Sequence, residues 1–241
     1  MNEWSNIAVI APAHDIDIST VAPLRERMDE LIDAGVRRIL INCAGVTFID
    51  STGLACLLTR ARRLLALGGL LSLVNASPHV IRFLQIARLL DVLHVSPAKK
   101  PAVPVLRPDT PPLWSKAVSL GQGMDGLPYY RHMVSEMLLG LSLGDDARFD
   151  TALAVSEALG NAFDHADAQG CSMNVSAYSD RVVVEVYDRG AGFELSADED
   201  VVPTEERGRG IKLMRMLVDS VEVSRRRDCT GTVVRLVELL R

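Results

Sequence analysis

The stretch SEALGNAFDH, residues 156–165, decides how the second half of this chain is interpreted. It places Glu157, Asn161 and His165 at positions i, i+4 and i+8, so their side chains share one face of a predicted helix that is otherwise apolar. A carboxylate, an amide and an imidazole in a row form either a solvated stripe or one wall of a binding site. Taken alone, the stretch favours the solvated stripe.

A second motif follows in VVVEVYDRGAGF, residues 182–193. A buried strand is predicted to end at Asp188, and Gly190 and Gly192 come directly after it. The glycines indicate either an ordinary β-turn or bare backbone that a ligand approaches closely, with Asp188 as a hydrogen-bond acceptor.

A third motif, RGRGIKLMRML at residues 207–217, begins a predicted helix with Gly208 and Gly210. Backbone N–H groups at a helix N-terminus attract phosphate. A lone G-x-G is a weak signal, and neither the dinucleotide fingerprint nor the P-loop pattern occurs in the chain.

Together these motifs resemble the GHKL ATPase superfamily. The order is E-x-x-x-N, D-x-G-x-G-F, G-x-G at a helix start and G-T in the last strand, from about residue 127 to the C-terminus. Within the superfamily the chain is most similar to bacterial anti-sigma factor serine kinases. The resemblance implies a Bergerat-type ATPase α/β sandwich, with helices on one side of a mixed or antiparallel sheet, and ATP and Mg²⁺ as cofactors.

The resemblance also implies a role for each motif residue. Glu157 would be the general base, Asn161 would bind Mg²⁺ through its amide oxygen, and residues 193–207 would form a lid over ATP. Asp188 would accept from the adenine amino group, with Thr232 beside the adenine. The first glycine pair would shape the floor of the site, and the second would lie by the phosphates. The implied nucleotide-binding residues are Asn161, Asp188, Gly190, Gly192, Gly208, Gly210 and Thr232.

The first half contains FIDSTGLACLL, residues 48–58, in which a strand-like run ends at Asp50 and an amphipathic helix follows. Taken alone, Ser51 is a helix N-cap worth about 1 kcal/mol. The surrounding strands and helices alternate, which predicts an α/β domain.

GVTFIDSTGLACLL, together with DISTVAPLRERM upstream, resembles a STAS domain of the kind found in anti-sigma factor antagonists. The resemblance covers residues 7–95 and implies a mixed sheet with helices. The phosphorylated serine of that family falls on Ser51. A phosphate there would lie at a helix N-terminus, where free N–H groups tolerate it, with Asp50 as a like charge beside it. One departure is His14, where the family usually has glycine.

Composition limits the remaining function classes. The net charge is -5 over 241 residues, and a nucleic-acid surface would need a basic patch. The run Arg225–Arg227 is the tightest basic cluster and is interpreted as a solvated turn. The longest apolar stretch, residues 64–74, is too short to span a bilayer and is broken by glycines. We therefore expect a cytoplasmic protein with no membrane or direct nucleic-acid contact.

The proline-rich stretch SPAKKPAVPVLRPDTPP divides the chain. We predict a STAS domain at 1–96, a linker at 97–112 and an ATPase domain at 113–241. A linker of about 17 residues would span about 50 Å at about 3.1 Å per residue, which gives a local concentration near millimolar.

The whole sequence therefore predicts a partner-switching regulator. Its ATPase domain would phosphorylate Ser51 of its own or a neighbouring STAS domain, the latter in a homodimer, and so control a sigma factor or similar client. A PP2C-type phosphatase would reset it. The alternatives are a binding protein that senses ATP or ADP without catalysis, and a histidine kinase acting on His132, which is otherwise an ordinary helix-face residue.

Overall fold

The computed structural model describes residues 7–107, 109–121, 123–166, 170–192, 194 and 207–240. Its internal contacts divide the chain into two compact units, Met1–Lys100 and Pro101–Arg241. Among the described residues, no helix combines the length and apolar character that crossing a membrane requires.

The first unit is a small α/β domain. Three parallel strands stand in the order β1-β2-β3, and helices connect them. The mixed pairing expected for this sheet is not seen among the described residues of the unit, where the named strands pair only in parallel. The elements are β1 Ile7–Ile10, α1 Val21–Asp33, β2 Arg38–Asn42, α2 Ser51–Ala66, β3 Leu70–Val74 and α3 Pro78–Ile86.

Helix α1 shows how periodicity builds this core. Its buried residues are spaced by three and four, at Val21, Leu24, Met28 and Ile32, so one face meets the sheet and the other meets water. Burying each large apolar side chain contributes about 1.5–3 kcal/mol. On the outer side, Asp29 of α1 accepts from the Arg60 guanidinium of α2 at 2.7 Å.

The proline-rich stretch is held at two places. On the first unit, Ser96 N donates to Leu73 O at 2.9 Å and Ala98 N donates to Ala76 O at 3.0 Å, so this segment runs along β3. On the second unit, Arg181 donates to the carbonyl oxygen of Pro104. Residues 99–103 lie between these two segments.

The second unit is an antiparallel five-stranded sheet in the order β4-β5-β6-β8-β7. Helix α5 packs on β6 and β8 and contacts both α4 and α6, so the predicted α/β sandwich is confirmed. The elements are β4 Trp114–Ser119, α4 Leu127–Leu138, α5 Asp145–His165, β5 Ser172–Ala177, β6 Arg181–Tyr187, α6 Arg207–Leu217, β7 Ser220–Arg225 and β8 Thr232–Leu239.

Candidate functional site

A cavity of about 180 Å³ opens between α5, α6 and the strands β6, β7 and β8. Its polar lining residues are Asn161, Asp188 and Thr232. The others are small or apolar: Ala158, Ala162, Val186, Gly190, Ala191, Gly192, Ile211, Met214, Val223 and Val234. This volume is below the ~300–1,000 Å³ that is usual for a drug-sized site.

Asp188 is the buried charged group of this cavity, with 7% exposure. Its Oδ1 accepts from two backbone donors, Gly190 N at 2.8 Å and Thr232 N at 2.9 Å. No described residue donates to Oδ2. The described residues therefore fix the carboxylate through one oxygen only.

The backbone around Asp188 depends on glycine at two positions. Gly192 has a φ of +79°, and a Cβ there would lie 3.1 Å from the carbonyl oxygen of Gly231. Gly231 has a φ of +141°, and a Cβ there would collide with the carbonyl oxygen of Asp188. The G-T motif predicted Thr232, and the close packing of Gly231 explains why a glycine precedes it.

The start of α6 lies against the polar face of α5. A Cβ at Gly210 would collide with Oε1 of Glu157 and would lie 3.1 Å from Nδ2 of Asn161. Gly208 lies in the first turn of the same helix. The structure thus brings together Glu157, Asn161 and the α6 N-terminus, and Asn161 also lines the cavity.

Glu157 has a perturbed acidity. Burial raises the pKa of its carboxyl above the ordinary value of 4.5, and the nearby charge of Asp164 raises the pKa further. No hydrogen bond from the described residues holds this carboxylate. A partly buried carboxylate with a raised pKa, one helical turn from the cavity-lining Asn161, is a candidate catalytic group.

Two predictions fall outside the described residues. The side chain of His165 and the lid segment at 193 and 195–206 are not described, so both stay predictions. The implied roles of the other site residues also stay predictions, although Asn161, Asp188, Gly190, Gly192 and Thr232 all line one cavity.

The loop around Ser51 corrects one expectation. The N-cap of α2 is Asp50, and Ser51 is the first helical residue. Asp50 Oδ1 accepts from Gly53 N at 2.7 Å, and its Oδ2 accepts from Ile18 N at 3.0 Å. Ser51 is exposed, and no described residue forms a hydrogen bond with its hydroxyl. The interpretation of Ser51 as a cap was wrong, because the preceding carboxylate satisfies the helix terminus.

The surroundings of Ser51 are rigid and partly apolar. A Cβ at Gly53 would collide with the carbonyl oxygen of Ile16, so the helix start presses on the neighbouring loop. Ile18 is 75% exposed and Phe48 is 48% exposed. Large exposed apolar side chains around a free hydroxyl are typical of a protein-binding surface.

The donor set is consistent with Mg²⁺ only in company with phosphate. Among the described residues, no group of three or more His, Cys, Asp or Glu side chains could hold a metal by itself. Mg²⁺ takes hard oxygen ligands and usually keeps water and substrate phosphates with one or two protein groups. The amide of Asn161, next to the α6 N-terminus, fits that arrangement.

Comparison with known proteins assigns both units. The model of the STAS domain family matches residues 1–102, and that of the histidine kinase-like ATPase domain family matches residues 125–237. The chain joins a STAS domain to a histidine kinase-like ATPase domain. The predicted fold class and the expected combination of domains are confirmed.

One curated relative is similar to part of the chain. Serine-protein kinase RsbW of Halalkalibacterium halodurans is 30% identical over 103 residues, which are 38% of this chain and 62% of the relative. The chain thus spans about three fifths of that relative.

Two solved structures are also similar to parts of the chain. A Thermotoga maritima anti-sigma factor antagonist shares 21% identity with a TM-score of 0.36, covering 38% of this chain and 79% of its own. The RsbU and RsbW domains of a Mycobacterium tuberculosis protein share 20% identity with a TM-score of 0.41, covering 54% of this chain and 34% of their own.

Proposed function

We propose that this chain is a partner-switching regulator, in which the ATPase domain transfers the γ-phosphoryl group of ATP to Ser51 of a STAS domain. The observation that carries the proposal is the placement of Glu157. Its carboxylate, with a raised pKa, lies one helical turn from Asn161 and beside the N-terminus of α6. The same chain supplies a free, exposed serine hydroxyl in a STAS domain.

The cavity suits the adenine base of the nucleotide. Its apolar walls fit a flat ring, and the free oxygen of Asp188 accepts a hydrogen bond from an amino group at the ring edge. A volume of about 180 Å³ leaves the ribose and phosphates outside the cavity. These would extend along Asn161 to the N–H groups at the start of α6, which favour anions.

The transfer step follows from these positions. The Ser51 oxygen attacks the γ-phosphorus while the Glu157 carboxylate takes the hydroxyl proton. The bond from the γ-phosphorus to the β–γ bridging oxygen breaks, and ADP leaves with that bond's electron pair. The products are ADP, phosphoserine and protonated Glu157. Positioning and charge stabilisation supply most of the catalysis in such a reaction, and a base with a pKa nearer to neutrality is more effective.

Magnesium would assist by neutralising charge on the phosphate oxygens, with the Asn161 amide oxygen as its protein ligand. The pKa shift of Glu157 arises from burial and Asp164. It belongs to the protein itself and prepares this carboxylate to accept a proton.

The switch follows from adding a dianion to the first turn of α2. A partner that packs on Ile18 and Phe48 would meet a phosphate beside Asp50, and like charges in a contact surface are repelled. The similarity to a serine-protein kinase and the presence of a STAS domain support this reading. We infer that the client is a sigma factor or a similar protein and that a PP2C-type phosphatase resets Ser51. The acceptor belongs to the same chain or, in a homodimer, to its neighbour.

The test separates binding from transfer in the full-length chain. ATP affinity is measured by calorimetry, and transfer is measured with radiolabelled Mg-ATP. We expect Asp188→Asn to lose both and Glu157→Gln to keep ATP binding while losing transfer. Tight ATP binding without transfer in the unmodified chain would favour a nucleotide-sensing protein instead. Label on His132 would favour a histidine kinase.

A further inference from the structure

The turn between β7 and β8, residues 226–231, directly precedes Thr232, which lines the cavity. Its backbone continues the β6–β8 pairing, because Asp188 N donates to Thr232 O at 3.0 Å. The turn is closed by Arg226 N, which donates to Gly231 O at 3.0 Å. The glycine at 231 allows this turn to touch the Asp188 backbone, which a Cβ would prevent.

The side chain of Arg226 folds back toward the end of β6 and is only 13% exposed. One guanidinium nitrogen, Nη1, donates to the carbonyl oxygen of Asp188 at 3.4 Å. The other nitrogens, Nε and Nη2, donate to the two carboxylate oxygens of Asp228 at 3.0 and 2.6 Å. The guanidinium carbon lies 5.6 Å from the ring centroid of Tyr187. One side chain therefore contacts two consecutive residues at the end of β6.

The sequence interpretation of the three arginines as a solvated turn is right for the flanking pair only. Arg225 and Arg227 are exposed. Arg226 comes directly after β7, which ends at Arg225, and its guanidinium packs over the ring of Tyr187. Three identical residues in a row give the sequence no means of distinguishing the middle one.

The ion pair between Arg226 and Asp228 stays charged at physiological pH. Hydrogen bonds from Arg226 are the largest cause that lowers the pKa of Asp228 to about 2. The same pairing raises the pKa of Arg226. A bidentate pair fixes the plane of the guanidinium, which lysine cannot reproduce.

We propose that Arg226, oriented by Asp228, is a positioning residue that fixes Asp188 for recognition of adenine over guanine. This inference rests on the proposed use of the cavity for ATP. Asp188 Oδ1 is occupied by Gly190 N and Thr232 N, so selectivity depends on where Oδ2 is held. Arg226 restrains Asp188 through its backbone carbonyl oxygen, whereas those two donors contact the carboxylate.

The chemistry of the base explains the selectivity. Adenine presents an amino donor at the position where guanine presents a carbonyl acceptor. A carboxylate held in place accepts a hydrogen bond from the adenine amino group, but it finds no donor on the guanine carbonyl and stays unpaired. This difference gives a strong preference for adenine over guanine. If Asp188 can shift, the free-energy penalty of binding guanine becomes smaller. The binding free energy gained from adenine becomes smaller as well.

The test measures ATP and GTP affinity by calorimetry on the full-length chain. The variants are Arg226→Met, Arg226→Lys and Asp228→Asn, and the matched control is Arg227→Met, an exposed arginine in the same turn. We expect Arg226→Met to weaken ATP binding about tenfold, comparable to losing one hydrogen bond to a charged group. The affinity for GTP should change less than the affinity for ATP, so the ratio of the two affinities should become smaller. Arg226→Lys should recover part of the loss, and Asp228→Asn should show a smaller loss.

Steady-state kinetics distinguish a positioning role from a merely structural one. In Ser51 labelling, Arg226→Met should raise the KM for ATP and leave kcat unchanged. Equal ATP affinity and equal ATP preference in Arg226→Met and Arg227→Met would overturn the inference while leaving the proposed kinase intact. Conversely, an unmodified chain that binds ATP but leaves Ser51 unlabelled would overturn the kinase alone. If Arg226→Met does not fold, Asp228→Asn provides the test. Unchanged ATP affinity and an unchanged preference for ATP over GTP in Asp228→Asn would overturn the inference.

Discussion

The capping of α2 gives a prediction whose size follows from the structure. Asp50→Ala removes two hydrogen bonds, one to Gly53 N within the helix and one to Ile18 N across the loop. Losing an N-cap costs about 1 kcal/mol, and losing a second hydrogen bond costs about 0.5–1.5 kcal/mol. The STAS domain should lose about 2 kcal/mol of stability, which is about 8–16 °C in Tm for a domain of this size. Ser51→Ala removes an exposed hydroxyl and should change stability by less than about 0.5 kcal/mol.

The assay uses the full-length chain, and its readout is confined to peptides of the STAS domain. Urea titration is followed by pulsed hydrogen exchange and mass spectrometry of peptides that cover residues 50–66, so the readout belongs to α2. The reasoning would be refuted if Ser51→Ala lowered the urea midpoint as much as Asp50→Ala. That result would mean that Ser51 is the N-cap of α2 and that its hydroxyl is hydrogen-bonded in the unphosphorylated state.

Three further predictions concern the ATPase domain. Burial raises the pKa of Glu157, so ionisation of this carboxyl lowers the folding stability of the domain as the pH rises above 4.5. Glu157→Gln should therefore raise the urea midpoint of this domain at pH 7. Below pH 4 the variant and the unmodified chain should have the same urea midpoint. The same shift should place the acid limb of kcat/KM for Ser51 labelling above pH 4.5, and a limb at or below that value would argue against Glu157 as the base. Gly231→Ala should cost about 1–3 kcal/mol because its φ of +141° is strained for alanine, and it should weaken ATP binding. Gly160→Ala is its control, since a Cβ there meets nothing within 4 Å and helix propensity should add up to about 1 kcal/mol.

Periodicity predicted most of the elements, and its failures have physical causes. The pattern of HVIRFLQIARLLDVL continues to residue 93, yet α3 ends at Ile86. Arg88 and His94 have positive φ values of 57° and 43°, so the apolar residues between them reach the core from turns. Strand β4, Trp114–Ser119, went unpredicted because it lies at the sheet edge, where the solvent-facing pattern carries little hydrophobic alternation.

The sequence predicted those residues of the candidate site that lie in motifs with a defined backbone conformation. Asn161, Asp188 and the glycines were found because each sits in a short pattern with a clear geometric requirement. Asp50 and Arg226 were not found, because each stands among residues of equal propensity. Asp-Ser-Thr offers three capping side chains, and only the tertiary contact with Ile18 N selects the aspartate.

The most direct measurement is mass-spectrometric mapping of the full-length chain after incubation with Mg-ATP. We predict one phosphoryl group on the peptide that contains Ser51, with none on the corresponding peptide of Ser51→Ala and none in Glu157→Gln, which still binds ATP. An unlabelled Ser51 in a chain that binds ATP, or equal labelling of Ser51 in Glu157→Gln, would contradict the assignment of this chain as a Ser51 kinase that uses Glu157 as its base.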